Sequence, residues 1–216
     1  MKETNQQLVR RARLVLRRLR QLYGADIGPF VDFSNPLELV MGTILSAQCT
    51  DVRVNVVTRT LFQKYRTAAD YRDADLTTLE REIYSTGFYK SKARSLKETG
   101  RIIADEYGGV VPDRVEDLLR LRGVSYKTAH LITAKAYGRM TGVAVDTHVD
   151  RLTRLLHLSQ AQDPTVKGRE LAALYPRKDW LAVNEYLIMH GRAVCIARRP
   201  RCSDCILADI CPSASS

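Results

Sequence analysis

Apolar residues recur at steps of three and four along most of the chain, which is the spacing of amphipathic α-helices. The first such run consists of Leu8, Ala12, Val15, Leu19 and Leu22. A polar cap and a first-turn proline, Asn35 and Pro36, predict that the next helix begins there. Further helical periods cover 52–65, 76–84, 91–107, 115–121, 126–137, 147–157, 165–174 and 180–190.

Strand patterns are missing from the sequence. No segment alternates apolar and polar residues convincingly, and no repeat of roughly 20–50 residues recurs. We therefore predict an all-α fold.

The charge of the chain favours a polyanionic partner. Its 34 Lys and Arg exceed its 24 Asp and Glu, which gives a net charge of +10. Binding driven by release of phosphate counterions points to DNA or RNA before a membrane, although a basic protein without such a partner is an alternative. We interpret most of the arginines of the first helix as a solvated face packed on the domain: Arg10, Arg11, Arg13, Arg17, Arg18 and Arg20.

Targeting signals are also missing from the sequence. No apolar run reaches about 18 residues, so we expect no membrane span. The first residues lack the apolar core of a secretory signal, so we expect a cytoplasmic, nucleoid-associated protein whose thiols stay reduced.

Four cysteines near the end of the chain form a candidate metal site. Cys195, Cys202, Cys205 and Cys211 follow the spacing Cys-x6-Cys-x2-Cys-x5-Cys within 17 residues. Four thiolates so close together can surround one small inorganic centre, which favours an iron–sulfur cluster. Zinc is the alternative, but zinc sites usually pair two Cys-x2-Cys units and only one occurs here. Disulfides do not suit a reducing compartment.

Basic residues lie between the first two cysteines of this group. Arg198 and Arg199 belong to a loop that metal ligation would hold rigid, which suits contact with DNA phosphates. Compensation for the negative charge of a tetrathiolate cluster is a second interpretation, and both can hold. The remaining cysteine, Cys49, is expected to be a small buried residue.

The segment from Leu121 to Ala129 is a candidate phosphate-binding hairpin. A tight turn at Gly123 before a helix start presents backbone N–H groups to an anion. Lys127 lies in the first turn of that helix, where the positive end of the dipole favours the neutral amine that nucleophilic attack requires. A surface lysine that binds phosphate is the alternative.

A carboxylate precedes a later helix. Asp146 follows an apolar triplet and stands at the expected N-cap of that helix, a position that is usually structural. An amine nucleophile also needs a nearby carboxylate for proton transfer or to stabilise a developing cation, so a chemical role is the second hypothesis.

Taken together and in order, these motifs resemble those of the endonuclease III family of helix-hairpin-helix DNA glycosylases. The resemblance rests on Leu45–Asp51, the hairpin, Val145–His148 and the cysteine spacing, and runs from about residue 30 to 212. It implies two helical domains flanking a DNA-binding cleft, a six-helix barrel domain with the helix-hairpin-helix over 30–140 and an iron–sulfur cluster domain made of 1–29 and 141–216. The four cysteines would hold a [4Fe-4S] cluster.

The resemblance also implies a reaction. The enzyme would be a monomer that flips oxidised pyrimidines, or abasic sites, out of double-stranded DNA. Lys127 would attack the sugar C1′ and form a Schiff base, Asp146 would be the catalytic carboxylate, and β-elimination would nick the strand. Gln48 would fill the gap left by the flipped base, Phe88 would be the wedge beside it, and His148 would lie near the damaged site.

Several positions depart from the family pattern. Arg122 replaces the usual Pro of the hairpin, Ser125 replaces its second Gly, and Phe88 replaces a Leu. The hydroxyl of Ser125 is then expected to bind the phosphate that the Gly backbone would approach. The segment Gly138–Gly142 is one residue longer than usual. These departures bear on substrate range and turnover, not on the reaction class.

Two other functions stay open at this point. A monofunctional mismatch or adenine glycosylase resembles this family, but such enzymes usually lack the lysine that Lys127 provides. A weakly catalytic DNA-binding iron–sulfur protein, structural or redox-sensing, is the second. An electron-transfer ferredoxin fits less well, because a basic helical body of this size is not needed for that task.

Overall fold

The computed structural model describes residues 3–24 and 30–214, and these residues form eleven α-helices and no β-strand. The all-α prediction is therefore confirmed. The helices are α1 (Asn5–Tyr23), α2 (Pro36–Ser46), α3 (Asp51–Lys64), α4 (Ala68–Asp73), α5 (Leu76–Glu82), α6 (Tyr89–Glu106), α7 (Val115–Leu118), α8 (Tyr126–Tyr137), α9 (Thr147–Leu155), α10 (Pro164–Leu174) and α11 (Trp180–Ala193). Single turns of 3₁₀ helix lie at Tyr84–Thr86, Arg177–Asp179, Cys202–Asp204 and Ala208–Ile210.

Helix α4 is the one α-helix that the apolar pattern did not predict among the described residues. Its six residues are too few to show a helical period, and only Ala68 and Tyr71 are buried. The helix is fixed by its start, where Thr67 accepts from the backbone N–H of Asp70 and the Asp70 carboxylate accepts from that of Thr67. Gly100 lets α6 pack directly on it, since a Cβ at Gly100 would lie 2.6 Å from the Cβ of Tyr71.

The chain divides into two compact units. The central unit is Gly28–Arg139, and the terminal unit combines Met1–Ile27 with Met140–Ser216. The predicted domain boundaries, a six-helix barrel domain over 30–140 and a cluster domain made of 1–29 and 141–216, stay a prediction. Residues 1, 2, 25–29, 215 and 216, on which parts of that division fall, lie outside the described residues.

The core of the central unit forms around α2. This helix is apolar on nearly all sides, and it packs against α3, α6 and α8. Val40, Met41 and Leu45 are fully enclosed, with exposures of 0%. A helix that is apolar all round must be surrounded by others, so α2 is the centre on which the other helices of this unit assemble.

Helix α1 belongs to the terminal unit, where its apolar face packs on α10 and α11. Three of its arginines bind that unit directly. Arg11 donates to the carbonyl of Leu156, Arg18 donates to that of Ile206 at 2.8 Å, and Arg20 pairs with an aspartate. These arginines therefore hold α1 in place, a role that the solvated-face interpretation did not foresee.

A buried ion pair joins α9 to α10 within the terminal unit. The ammonium of Lys167 is fully buried and pairs with Asp150, whose side chain is 35% exposed. The hydrogen bond from Lys167 lowers the pKa of Asp150.

Among the described helices, none has the length and apolar character needed to cross a membrane.

Replacement of Asp150 tests how much this pair stabilises the terminal unit. Asp150→Asn would leave the buried Lys167 charge without its carboxylate, so we expect the free energy of unfolding to fall by about 3 kcal/mol. Because the pKa of Asp150 is lowered in the folded state, its contribution is complete above the unfolded pKa of about 3.9 and is lost as the pH falls through the folded value. Urea denaturation should show the difference from wild type narrowing below about pH 4.

The matched control is Asp209→Asn. Asp209 pairs with Arg18 but its side chain is 65% exposed, so solvent screens the pair and its loss should destabilise the protein much less than loss of Asp150 does. Equal destabilisation by the two substitutions would contradict a special role for the buried pair.

Candidate functional site

The four clustered cysteines line one cavity. Cys195, Cys202, Cys205 and Cys211 surround a space of about 170 Å³ in the terminal unit, together with mainly apolar side chains such as Leu152. All four are free thiols, as is Cys49, so the disulfide alternative is wrong. Cys49 is only partly buried and packs against the core of the central unit.

The arrangement of the cysteines fits a cluster better than a single ion. Within residues 3–24 and 30–214, no three His, Cys, Asp or Glu side chains come close enough to hold one metal ion. A zinc site would bring four ligand atoms to about 2.0–2.3 Å from one point. Thiolates spread around an apolar cavity suit a polynuclear iron–sulfur centre.

A buried histidine lies against one of these cysteine sulfurs. Burial lowers the pKa of His190 to about 4, so its ring is neutral at pH 7. The phenol of Tyr23 lies 3.0 Å from Nδ1, and Nε2 lies 3.3 Å from Sγ of Cys205. With Tyr23 donating to Nδ1, the ring donates its Nε2–H to the sulfur. The backbone N–H of Leu207 also donates to this sulfur, at 3.4 Å.

Thiolates of this site need such donors. Burial raises the pKa of the Cys195 and Cys205 thiols. Hydrogen bonds to sulfur and a bound metal both favour the thiolate form, so we expect these cysteine thiols to lose their protons when the metal binds.

Arg151 connects the cysteine loop to α9. Its Nη2 donates to the carbonyls of Gly191, at 2.9 Å, and Cys195, at 2.8 Å. Gly191 is required for this close approach, because a Cβ there would lie 3.0 Å from both Arg151 and His148. The first cysteine is therefore fixed to the helix that begins just after Asp146.

Asp146 is the N-cap of α9. Its Oδ1 accepts from the backbone N–H groups of His148, at 2.9 Å, and Val149, at 2.8 Å. The imidazole of His148, in the first turn of the helix, lies 3.3 Å from the guanidinium of Arg151. The structural role expected from the sequence is present, and it uses one carboxylate oxygen for both bonds.

The loop between the first two cysteines is closed at its base and basic at its tip. The backbone N–H of Arg201 donates to the carbonyl of Val194 at 3.0 Å. Arg198 and Arg199 are exposed. The loop can present two cations to a ligand without rearrangement of its base.

The predicted hairpin joins α7 to α8 in the central unit. Gly123 has a φ of +89°, and a Cβ there would lie 3.4 Å from Ile44. Ser125 has a φ of −88°, which any residue adopts, so Ser in place of Gly adds no backbone strain. Its hydroxyl accepts from the N–H of Thr128 at 3.3 Å and thus caps α8. Lys127 is half-buried in the first turn of α8.

Gln48 and Phe88 lie beside the hairpin. Both line a cavity of about 230 Å³ to which Gly123 also contributes. Both have the left-handed backbone, with φ of +52° and +46°, and the Phe88 side chain is 66% exposed. Such conformations cost about 1–3 kcal/mol each in a residue with a side chain and concentrate at functional sites.

The structure thus places the predicted residues in two groups. Gln48, Phe88, Gly123, Ser125 and Lys127 belong to the central unit. The terminal unit holds the rest: Asp146, His148, Arg198, Arg199 and the four cysteines.

Sequence reasoning missed Lys92, Arg151 and His190. Lys92 occupies a core position of α6, on the same helix face as buried Leu96 and Ile103. A charged residue at such a position is a sign in the sequence of a buried side chain with polar partners. Arg151 and His190 left no such trace.

Comparison with known proteins gives two matches to family models. Residues 41–177 match the helix-hairpin-helix superfamily of base excision DNA repair proteins. Residues 195–211, the span of the four cysteines, match the iron–sulfur binding domain of endonuclease III. The second match confirms the prediction of a [4Fe-4S] cofactor.

Individual relatives extend over most of the chain. Endonuclease III of Synechocystis sp. is 46% identical over 95% of this chain and 94% of its own, and that of Escherichia coli is 35% identical over 84% and 85%. Among solved structures, a non-covalent endonuclease III–DNA complex superposes with a TM-score of 0.89 at 35% identity, covering 95% of this chain and 96% of that one. A trapped endonuclease III–DNA covalent intermediate gives the same values.

Removal of one cysteine tests the metal site. Cys202→Ala should lose the visible thiolate-to-iron absorbance and most of the bound iron, because a [4Fe-4S] cluster needs all four protein ligands for full occupancy. Cys49→Ala is the matched control and should keep both. Full iron content in Cys202→Ala, or zinc in place of iron in the wild type, would contradict the assignment.

Proposed function

Since the chain belongs to the endonuclease III family of base excision repair, whose members are DNA glycosylases with AP lyase activity, we propose that it removes oxidised pyrimidines from duplex DNA and nicks the resulting abasic site through Lys127. The single observation that carries this proposal is the position of Lys127. It is half-buried in the first turn of α8, four residues after Gly123, whose φ of +89° belongs to the turn before this helix. The N–H groups at a helix start are suited to bind a phosphate.

The proposed reaction uses Lys127 as the nucleophile. Its Nζ attacks C1′ of the damaged nucleotide, the glycosidic C1′–N bond breaks, and the base leaves with its bonding electrons and takes up a proton. The attached nitrogen gives up a proton, the C1′–O4′ bond breaks with O4′ taking up a proton, and the nitrogen lone pair forms an iminium between Lys127 and C1′. Loss of a proton from C2′ then expels the 3′ phosphate, and water releases the lysine.

Asp146 is proposed as the carboxylate that serves this lysine. A carboxylate can take up the proton of the attacking amine or stabilise the cationic sugar. Its N-cap bonds to His148 and Val149 hold the carboxyl group in one orientation. Asp146 can therefore cap the helix and serve the reaction at the same time. We also propose that His148 lies near the damaged nucleotide.

Three further groups are proposed to bind the duplex. Gln48 fills the space left by the extruded nucleotide. Phe88 acts as the wedge beside Gln48, since the exposed ring of Phe88 can stack on bases. Gly123 and Ser125 present the start of α8 to a phosphate. Because the Ser125 hydroxyl already caps the helix, we assign its phosphate contact to the backbone.

The cysteine site is proposed to shape a DNA-contacting loop. Cys195, Cys202, Cys205 and Cys211 would hold the [4Fe-4S] cluster, which supplies cross-linking of this loop. Exposed Arg198 and Arg199 then contact phosphates without sequence preference. We further propose that the protein acts as a monomer in the cytoplasm, at the nucleoid.

Borohydride trapping tests the nucleophile. Wild-type protein with a thymine-glycol or abasic duplex should give a covalent adduct, because borohydride reduces the iminium to a stable amine. Lys127→Ala should give none, since the nucleophile is gone. Lys135→Ala, a half-buried lysine on the same helix, is the control and should trap as wild type does. An adduct in Lys127→Ala, or none in wild type, would show that the mechanism is wrong.

A second substitution separates the two roles of Asp146. Asn is as good an N-cap as Asp, so Asp146→Asn should change the free energy of unfolding by less than about 0.5 kcal/mol. Without the carboxylate charge, single-turnover excision should fall by about 10²–10⁴-fold.

Asp163→Asn is its matched control. Asp163 caps α10 in the same unit, and its Oδ1 accepts from the N–H groups of Thr165, at 2.8 Å, and Val166, at 2.9 Å. This substitution should leave excision unchanged. If Asp146→Asn kept full activity, the carboxylate would have only its capping role.

A further inference from the structure

A buried lysine joins the two segments that lead to Gln48 and Phe88. Lys92 lies in the first turn of α6 and is only 5% exposed. Its Nζ donates to the carbonyl of Leu45 at 2.7 Å and to that of Thr86 at 2.8 Å. One ammonium group therefore holds two chain segments that are 41 residues apart (86 − 45).

Both carbonyls belong to helix ends. Leu45 is in the last turn of α2, and Thr86 is the last residue of the 3₁₀ turn Tyr84–Thr86. Carbonyls at these positions have no N–H partner within their own helix. A lysine ammonium carries three donors, and a cation is favoured at the negative end of a helix dipole. Lys92 thus satisfies both ends, although burial lowers its pKa.

Each of these ends runs directly into a residue with a left-handed backbone. Gln48 follows Leu45 by three residues, and Phe88 follows Thr86 by two. Lys92 lines the same cavity as both side chains. The backbone N–H of Lys92 donates in turn to the carbonyl of Phe88 at 3.0 Å. The spacing between the two strained residues therefore depends on one side chain beneath them.

We propose that Lys92 is a positioning residue, which sets the separation of Gln48 and Phe88 so that both can enter the duplex where a nucleotide leaves the stack. This proposal rests on the proposed function. Lys92 acts through the two backbone segments, while Lys127 and Asp146 carry the covalent chemistry. Loss of the brace should therefore affect the opening of the duplex more than the reaction at C1′.

The same helix offers a matched control. Lys97 lies five residues further along α6, and its Nζ donates to the carbonyls of Arg72, at 2.5 Å, and Ala74, at 2.7 Å. It has the same chemistry as Lys92, a lysine braced between two carbonyls. Its two partners lie at the C-terminal end of α4, and this part of the chain does not lead to Gln48 or Phe88.

The experiment compares Lys92→Met with Lys97→Met in the holoprotein. Single-turnover excision of thymine glycol from duplex should fall by about 10- to 100-fold in Lys92→Met, the effect expected from misplacement by about 1 Å, and by less than about threefold in Lys97→Met. Cleavage of an abasic site in single-stranded DNA, which has no stack to open, should be equal in the two variants. The fluorescence increase of 2-aminopurine opposite a tetrahydrofuran abasic analogue should be lost only in Lys92→Met.

A double-variant background gives a second readout. If Lys92 acts through the two side chains, Lys92→Met should add less than about twofold to the excision defect of a Gln48→Ala, Phe88→Ala variant. Should Lys92→Met fail to fold, Lys92→Gln, which keeps two N–H donors, is measured in the same way.

Several outcomes would overturn the proposal. The first two are an equal fall in duplex excision in Lys92→Met and Lys97→Met, and an equal loss of activity of Lys92→Met on single-stranded and duplex DNA. The others are an excision defect of Lys92→Met that adds in full to that of the Gln48→Ala, Phe88→Ala variant, and a Lys92→Gln protein that also fails to fold. Failure of the proposed function is distinguishable, because the wild type itself would then give no borohydride adduct.

Discussion

Helix ends impose the constraint on which the rest of this structure depends. The described residues form eleven α-helices, and each helix end exposes backbone groups that need a partner. Ser125 and Asp146 satisfy helix starts, and Lys92 satisfies two helix ends at once. The residues that close these helices are the same ones to which we assign chemistry or positioning. The fold therefore holds its proposed functional groups in place through bonds that it needs for its own stability.

The last part of the chain is stabilised differently. Between Cys202 and Ala214 only Leu207 is buried, and the backbone forms single 3₁₀ turns. So small a set of apolar contacts contributes little stability. Ligation of a cluster by the cysteines would supply the cross-links that a core supplies elsewhere. Arg18 and Arg151 add bonds from α1 and α9 to the carbonyls of Ile206 and Cys195. The cysteine segment is thus tied to both the N-terminal helix and the helix capped by Asp146.

The sequence was sufficient for the long elements and for groups that carry their own pattern. Apolar periods predicted all of the long helices, and the spacing of the four cysteines alone indicated a metal site. It failed where the partner is a backbone carbonyl, as for Lys92 and Arg151, because every residue has a carbonyl and no residue type marks it. It failed for α4 because six residues contain no full period. The capping role of Ser125 was overlooked, although Thr128, three residues on, was a local sign of it.

The left-handed conformations of Gln48 and Phe88 have a kinetic consequence. Their unfavourable backbone energy is met during folding, so no loop has to be ordered again at each encounter with DNA. A protein that searches a long polymer meets far more intact sites than damaged ones, and any ordering step would be repeated at every one of them. If Gln48 and Phe88 have the roles that we propose, the time spent at an intact site would then be set by the opening of the base pair and not by the ordering of these loops.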